Sequence, residues 1–179
     1  MKISLALFCI SLAIPACAQS DSTFTLDQST LSYHMSHPIH EVDGTTHAAK
    51  GKGVCHAGMC DFLLAAQIKT FDSGDTNRDL HMQQVTRAAE NPIVLVRFRI
   101  PESAASQPTL DCDLEVQFAG QTAHYTHVQF HQDINGNTHH ITGTIPTNII
   151  DFKIPAPSFL TVPIKNEIPV KIYTTWHQQ

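Results

Sequence analysis

The stretch LDCDLEVQF, residues 110–118, alternates apolar and polar side chains without a break. Successive side chains of a β-strand point to opposite faces, so a period of two is typical of a strand with one buried face and one wet face. The apolar face of this stretch carries Leu110, Cys112, Leu114, Val116 and Phe118. The pattern therefore predicts an antiparallel β protein, in which one side of the sheet packs inward.

The same alternation recurs from one end of the chain to the other. The stretch IVLVRFRI, residues 93–100, places its apolar side chains opposite Arg97 and Arg99. Tyr33 near the start and Trp176 near the end lie in similar patterns. Further strands are predicted at residues 46–55, 61–71, 123–134 and 139–150. The chain therefore predicts about eight strands joined by short turns.

Two local signals interrupt the strands. Asn135-Gly136 predicts a type I′ hairpin turn, because both residues tolerate a positive φ. Residues 77–89 have apolar side chains at helical spacing, with Thr76 as a cap and Pro92 as a stop. An eight-stranded antiparallel sheet either forms a sandwich or closes into a barrel, and closure removes the exposed edges. We therefore expect an all-β, eight-stranded antiparallel barrel with one short helix, whose interior holds side chains or one slender ligand.

The first 18 residues are typical of an export signal. Lys2 precedes an apolar stretch of roughly a dozen residues, and Ala16-Cys17-Ala18 forms a small-x-small cleavage site. The stretch is shorter than the about 20 residues that a membrane-spanning helix needs. We expect cleavage after Ala18, export from the cytoplasm and one domain over residues 19–179. A rival interpretation acylates Cys17 as a lipoprotein anchor.

The charge of the chain argues against a nucleic-acid partner. The formal net charge is −5 at pH 7, and loss of Lys2 with the signal makes it −6. No segment after the signal has the apolar length of a transmembrane helix. The sequence does not choose between a monomer and a homodimer.

Three cysteines follow the signal, in an oxidising compartment that favours one disulfide. Cys55 and Cys60, in GVCHAGMC, are separated by four residues that have the length and the glycine of a hairpin loop. Across such a hairpin their Cα atoms would lie about 4.5 to 5.5 Å apart, which a disulfide accepts. A thiolate metal site or redox site is the alternative. Cys112 lies on an apolar face and is expected to be a buried, inert thiol.

The chain has 12 histidines, which raises a metal-binding hypothesis. If Asn135-Gly136 is a two-residue turn, His131 lies opposite His140 on the outer face, with Cβ atoms about 5 Å apart. Two ligands make a weak candidate metal site, and a solvated pair is the plainer interpretation. A second metal site stays open in the histidine-rich run before residue 50, which comprises His34, His37, His40 and His47.

Catalytic motifs are lacking in the sequence. It contains no G-x-S-x-G elbow and no H-E-x-x-H pair, since His40-Glu41 is not followed by a second histidine at the required spacing. We therefore expect a protein that binds and does not catalyse.

The stretch FDSGDTNRDLHM, residues 71–82, resembles the phrase FDTGNxxRDxHL, which is a signature of the YceI-like family of exported bacterial proteins. The matching residues are Phe71, Asp72, Gly74, Asp75, Arg78, Asp79, His81 and Met82. Pro92, Ile93 and Phe98 follow in nearly the family spacing, and DCDLEVQFAGQTAHY and IIDFKI resemble later parts of the family pattern. Lys153 replaces the usual glycine of the last phrase, and the VCHAGMC hairpin is not part of the general pattern. The similarity spans most of the chain after the signal.

The resemblance implies a periplasmic, lipocalin-like barrel that holds an isoprenoid lipid or quinone, without a further cofactor. Burying one CH2 group contributes about 0.8 kcal/mol, so each isoprene unit gains roughly 3 to 4 kcal/mol before ordering costs. The residues expected to contact the ligand are Tyr33, Phe62, Leu64, Phe71, Met82, Val94, Val96, Phe98, Leu114, Val116, Phe118, Val128, Phe130, Ile141 and Trp176. The candidates for the rim of the pocket, where a polar head would lie, are Arg78, Asp79 and His81.

Two other hypotheses stay open at this point. A histidine-rich protein that binds a metal or haem could use the same barrel. A barrel filled by its own side chains would instead act as an interaction module in stress defence. Alternation looks the same for a hollow interior and a packed one, so the sequence does not decide between them.

Overall fold

A computed structural model describes residues 21–38, 41–159 and 162–179. The export signal, its cleavage site and His40 lie outside the described residues. The strands within the described ranges are β1 (Ser22–Ser36), β2 (Glu41–Thr46), β3 (Lys50–His56), β4 (Met59–Gln67), β5 (Ile93–Pro101), β6 (Thr109–Phe118), β7 (Gln121–Asn135), β8 (Thr138–Ile145), β9 (Ser158–Phe159), β10 (Val162–Pro163) and β11 (Val170–Gln178). Helix α1 spans Thr76–Val85, and short 3₁₀ turns span Ile68–Thr70, Glu102–Ser106 and Ile149–Phe152. No helix in these ranges has the length and apolarity to cross a membrane.

Nine of the strands form one antiparallel sheet that closes on itself. The order is β11, β8, β7, β6, β5, β4, β3, β1 and β2, and β11 also pairs with β1. Strands β2 and β3 pair with the same edge of β1, because Thr46 of β2 lies opposite Leu31 and Lys52 of β3 lies opposite Thr25. They occupy one strand position together, so the barrel has eight positions. The predicted eight-stranded antiparallel barrel with one short helix is confirmed.

The two ends of the barrel differ. Strands β4, β6 and β8 begin at the lower end and finish at the upper end, where α1, the Ile149–Phe152 turn, β9 and β10 lie. At the lower end, the buried Gln132 donates hydrogen bonds from Nε2 to the carbonyl oxygens of Ala105 at 2.8 Å and Gln107 at 2.9 Å. These bonds hold the Glu102–Ser106 turn against the barrel interior, so the lower end is closed.

The predicted disulfide between Cys55 and Cys60 is confirmed. The two residues lie opposite each other in the register of β3 and β4, with Cα atoms 3.9 Å apart. Ala57 and Gly58 form the turn with φ values of 51° and 79°, the pair of positive angles that a type I′ turn requires. The loop therefore has two residues rather than the predicted four, and the disulfide lies at the lower end of the barrel.

Helix α1 is shorter than predicted and has a different cap. Asp75, and not Thr76, is the N-cap, and its side chain accepts hydrogen bonds from the N–H groups of Asn77 and Arg78. After the helix, Arg87 adopts a left-handed conformation with φ 54°, which helical geometry does not allow. The predicted continuation of the helix to residue 89 is therefore wrong.

The hairpin between β7 and β8 has a different register from the predicted one. Asn135 pairs with Thr138, so Gly136 and Asn137 form the turn. Gly136, at the first central position, has φ 60°. A glycine with positive φ at this position is typical of a type II′ turn. The predicted Asn135-Gly136 turn is therefore displaced by one residue.

Candidate ligand-binding cavity

The upper half of the barrel is hollow. It contains a cavity of about 680 Å³, within the range of about 300 to 1,000 Å³ that small-molecule sites occupy. The wall residues from strands are Leu31, Met35, Leu64, Ala66, Val94, Val96, Val116, Phe118, Ile145, Val170 and Ile172. The apolar wall residues from turns, loops and α1 are Ile68, Phe71, Met82, Val85, Ile149, Phe152, Ile154, Pro157, Ile164 and Ile168. The upper half of the barrel interior is thus not filled by its own side chains.

The pairing of the strands fixes the deepest level of the wall. Leu64 of β4 lies opposite Val96 of β5, and Val96 lies opposite Val116 of β6. All three are buried and point inward, as the alternation of their strands requires. The two valines are β-branched and therefore stiff at χ1, so this part of the wall has a defined shape.

Polar groups line the cavity at its upper end. They belong mostly to α1 and its flanking residues, and comprise His37, Asp75, Asn77, Arg78, His81, Thr86, Thr147 and Asn148, with the hydroxyl of Tyr33 nearby. The cavity therefore has an apolar depth and a polar mouth. This arrangement suits a ligand that has a hydrocarbon chain with one polar end.

The start of α1 is held by two carboxylates with different partners. Asp75 caps the helix, whereas Asp79 accepts hydrogen bonds from the N–H group of Ser73 at 3.1 Å and from its hydroxyl at 2.6 Å. These bonds direct Asp79 toward the turn before the helix. Arg78 and His81 line the cavity and Asp79 does not, so the structure separates the three predicted rim residues.

Arg78 lines the cavity, and its guanidinium group contains a hydrogen-bond donor without an acceptor. Its Nε atom is shielded from solvent and has no hydrogen-bond partner in the part of the chain that the structure describes. The nearest ion-pair contact of the side chain joins Nη2 to Oδ2 of Asp75 at 3.9 Å. A buried donor without an acceptor costs roughly 1 to 3 kcal/mol.

Tyr33 connects the barrel wall to the charged face of α1. Its ring lies 5.8 Å from that of Phe71 and covers Gly44, where an added methyl group would lie 2.3 Å from the ring. Burial raises the pKa of Tyr33, and the nearby Asp79 raises it further while Arg78 opposes the shift. The hydroxyl therefore stays protonated at neutral pH and remains a donor.

The Ile149–Phe152 turn forms one side of the cavity. Its first N–H group, from Ile149, donates to the carbonyl oxygen of Asn166 at 3.0 Å. Phe152 is buried and meets Phe118 edge to face, with ring centroids 5.3 Å apart. The turn is thus fixed to the loop before β11 on one side and to the end of β6 on the other.

Eight of the residues predicted to contact a ligand line this cavity. They are Tyr33, Leu64, Phe71, Met82, Val94, Val96, Val116 and Phe118. The other seven lie outside its lining, in the packed lower half of the barrel, and are Phe62, Phe98, Leu114, Val128, Phe130, Ile141 and Trp176. Their inward orientation was predicted, but they lie below the deepest level of the wall. Ligand contact by any of the fifteen stays a prediction.

The sequence interpretation missed the lining residues between β8 and β11. These include Ile149, Phe152, Ile154, Ile164 and Ile168, all of which are buried or partly buried. The segment lacks a strand period, so alternation could not assign its apolar side chains to the interior. The phrase IIDFKI, which resembles a part of the family pattern, was the available signal.

The histidines do not converge on a metal site in the described ranges. No group of three or more His, Cys, Asp or Glu side chains there could hold a metal ion. The predicted His131–His140 pair is wrong, because the displaced turn brings Asp133 opposite His140. His131 remains exposed, with its Nε2 atom 3.4 Å from Oδ1 of Asp133.

The histidine-rich run before residue 50 is also dispersed. Its described members have different partners, which are Asp43 for His34, the carbonyl oxygen of Val162 for His37 and Thr30 for His47. These three side chains therefore do not meet at one point, and they do not form the metal site hypothesised for this run.

Comparison with known proteins gives a likeness of structure. No protein-family model and no curated protein sequence matches the chain. Among solved structures, a polyisoprenoid-binding domain from Saccharophagus degradans, implicated in plant cell wall breakdown, is 13% identical, with a TM-score of 0.74 over 87% of this chain and 98% of that domain. BcnA from Burkholderia cenocepacia is 14% identical, with a TM-score of 0.69 over 82% of this chain and 95% of BcnA.

The YCEI protein of Campylobacter jejuni is also similar. It is 13% identical, with a TM-score of 0.51 over 64% of this chain and 70% of that protein. At such low identity the likeness concerns the fold and not the function. The resemblance seen in the sequence is confirmed at this level, and the chain has the fold of the YceI-like proteins.

Proposed function

We propose that this protein is an exported, periplasmic binding protein that carries or sequesters an isoprenoid lipid, either a polyprenyl or a quinone-type chain, without catalysis. The proposal rests on the cavity of about 680 Å³, whose wall is apolar and whose polar groups lie at one end. The likeness to a polyisoprenoid-binding domain supports the same class of ligand. The export signal in the sequence supports the compartment.

The driving force for binding is the transfer of a hydrocarbon chain out of water. Each buried CH2 group contributes about 0.8 kcal/mol, so a few isoprene units outweigh the cost of ordering the chain. The charged residues of the lining, Asp75 and Arg78, belong to the first turn of α1 and its cap. A chain in the depth of the cavity therefore displaces water without desolvating these charges.

The polar end of the ligand is expected at Arg78. The Nε atom of Arg78 is a buried donor without an acceptor in the described ranges, and His81 and the Tyr33 hydroxyl are further polar groups on the same side. An oxygen atom on the ligand would accept a hydrogen bond from the guanidinium group. In the proposed binding mode, the head of the ligand lies at the mouth and the tail in the depth of the cavity.

Native mass spectrometry of the protein purified from its own periplasm tests the proposal. We expect a bound mass that organic solvent extracts and that is identified as an isoprenoid. After extraction, the protein should take up added geranylgeraniol. Absence of both the extractable mass and the uptake would contradict the proposal.

A matched pair of variants on α1 locates the site. Met82 lines the cavity, whereas Leu80, on the same helix, is 52% exposed and does not line it. Met82→Glu should weaken binding of geranylgeraniol at least about tenfold, because it brings a charge to an apolar wall. Leu80→Glu should leave binding unchanged. Equal effects of the two substitutions would place the ligand elsewhere.

The role of Arg78 is tested by comparing two ligands. Arg78→Met removes the guanidinium donors and should weaken binding of geranylgeraniol, which has a hydroxyl group. Binding of squalene, a hydrocarbon without oxygen, should not change. A similar loss for both ligands would mean that Arg78 acts on the shape of the cavity and not on the head.

A further inference from the structure

Three inward-facing side chains on neighbouring strands form one layer across the barrel. Phe62 of β4 lies opposite Phe98 of β5, and Phe98 lies opposite Leu114 of β6. The rings of Phe62 and Phe98 are stacked, with centroids 4.8 Å apart and planes 7° from parallel. Residues that are opposite in register share a level of the sheet, so the three side chains lie side by side.

Trp176 of β11 extends this layer. Its ring meets that of Phe62 edge to face, with centroids 5.6 Å apart. The indole ring also covers Gly51, where an added methyl group would lie 2.4 Å from the ring. Glycine at position 51 therefore leaves the space that the indole occupies. The indole N–H donates to Oγ1 of Thr174 at 3.1 Å, so its polar atom is satisfied inside the barrel. We call Phe62, Phe98, Leu114 and Trp176 the aromatic layer.

The cavity ends directly above the aromatic layer. Its deepest wall residues, Leu64, Val96 and Val116, are each two positions along the strand from a member of the layer. Two strand positions correspond to about 6.6 to 6.8 Å. Below the layer, the interior contains a void of about 10 Å³, which is at the lower limit for one water molecule. The layer is therefore the floor of the cavity.

We infer that the aromatic layer limits the length of chain that the protein can bury, and that Phe62, Phe98 and Trp176 determine specificity for chain length. This inference rests on the proposed binding of isoprenoids. At roughly 30 Å³ for each carbon-sized group, the cavity of about 680 Å³ holds about 20 to 23 carbon atoms. Four isoprene units fill it, and further units of a longer chain stay outside.

The direction of the chain follows from the position of the polar groups. Because the polar lining lies at the mouth, a chain enters tail first and its last unit meets the floor. Affinity should therefore rise with each unit until the tail reaches the aromatic layer. Units added after that point bury no further surface in the cavity and should add little affinity.

The experiment measures dissociation constants of delipidated full-length protein for geraniol, farnesol, geranylgeraniol and solanesol, which have two, three, four and nine isoprene units. Displacement of a fluorescent fatty acid provides the readout. For the wild-type protein, we expect affinity to increase at least about tenfold per unit up to geranylgeraniol. The dissociation constant of solanesol should lie within about twofold of that of geranylgeraniol.

Two substitutions move the floor in opposite directions. The break in the affinity series is the chain length at which affinity stops rising. Val96→Phe adds a ring just above the layer and should shift this break from geranylgeraniol to farnesol. Phe98→Ala removes a ring from the layer and should increase the affinity for solanesol relative to geranylgeraniol. Because Phe98→Ala removes core contacts, Phe98→Leu is the milder variant if the first does not fold. Leu63→Phe, on β4 but 39% exposed and outside the cavity lining, is the control that should leave the break in place.

The inference fails if affinity of the wild-type protein keeps rising from geranylgeraniol to solanesol. It also fails if Val96→Phe and the folded Phe98 variant bind isoprenoids with the break unmoved. In both cases binding itself persists, so the proposed function stands. Absence of binding at every chain length would instead contradict the proposed function.

Discussion

Tyr125 donates a hydrogen bond from its hydroxyl to Oδ2 of Asp151 at 2.9 Å. This bond joins strand β7 to the Ile149–Phe152 turn, whose first and last residues line the cavity. Burial raises the pKa of Tyr125, and the bond to Asp151 raises it further, so the hydroxyl remains a donor at all physiological pH values. The contact fixes one wall of the cavity.

Substitution of Tyr125 by phenylalanine should loosen this wall. Loss of the bond should lower the free energy of unfolding by about 1 kcal/mol and accelerate amide hydrogen exchange in residues 149–154. Hydrogen exchange measured by mass spectrometry checks the effect. Tyr173→Phe is the control, because Tyr173 is 55% exposed on the outer face. Equal exchange in the two variants would show that the Tyr125 bond does not restrain the turn.

The buried His139 should make stability depend on pH. Its ring meets Phe24 edge to face at 5.2 Å, and burial lowers its pKa, although the contact of Nε2 with Gln178 acts in the opposite direction. The unfolded chain binds a proton at about pH 6.5, whereas the folded protein resists it. Stability is therefore full above pH 6.5 and decreases as the pH falls below it.

Chemical denaturation at a series of pH values tests this dependence. His139→Gln should reduce the loss of unfolding free energy between about pH 7 and pH 5. His140→Gln, on the same strand but exposed, should retain the loss seen in the wild-type protein. If the His139 variant has the same pH dependence as the wild type, other groups cause it.

The Cys112 thiol should react slowly while the protein is folded. Cys112 is 1% exposed, and burial, with Asp111 and Asp113 beside it, raises its pKa to about 11. The thiolate fraction at about pH 8 is then roughly a hundredfold lower than for an ordinary cysteine. Peptide mapping after iodoacetamide treatment should find Cys112 modified in denaturant and unmodified without it. Rapid modification of the native protein would contradict the burial of this thiol.

The disulfide between Cys55 and Cys60 should stabilise the barrel modestly. Its sequence separation of 5 residues closes a short loop, which corresponds to about 2 kcal/mol in the chain-entropy model. Replacing both cysteines by alanine should lower the unfolding free energy by about this amount in the absence of reductant. Added dithiothreitol should lower the stability of the wild type and leave the double variant unchanged. Sensitivity of the double variant to dithiothreitol would point to another cause.

The sequence predicted the strands and their inward faces because alternation follows directly from the geometry of a pleated sheet. It did not predict strand β2, where the inward positions are Val42, Gly44 and Thr46. Gly44 is covered by the ring of Tyr33, and Thr46 is hydrogen-bonded to Thr70, so two of the three buried positions are not apolar. The sequence of this strand therefore does not alternate between apolar and polar residues, and alternation could not predict it.

Register was the second point at which the sequence failed. A turn at residues 135–136 and a turn at residues 136–137 use the same glycine, and they differ in which side chains face each other across the hairpin. The consequence was the incorrect His131–His140 pair. A local sequence signal could not select the turn, because the choice depends on the pairing of the whole strand.

The position of the cavity floor was likewise hidden from the sequence. Phe62 and Leu64 are both inward, apolar and on one strand, yet Leu64 lines the cavity and Phe62 lies in the packed half. Their difference arises from Phe98 and Trp176, which meet Phe62 from other strands. Such contacts between distant parts of the chain have no signature in the period of a single strand.

The closed lower end has a consequence for how this protein can change over evolutionary time. The cystine and the Gln132 contacts both lie below the floor of the compartment that would hold a guest molecule. If the proposed function holds, substitutions among the upper wall residues change which guests bind, and the contacts that keep the lower end of the barrel folded stay intact. In this architecture, the residues that would change the bound molecule are therefore different from the residues that keep the barrel folded.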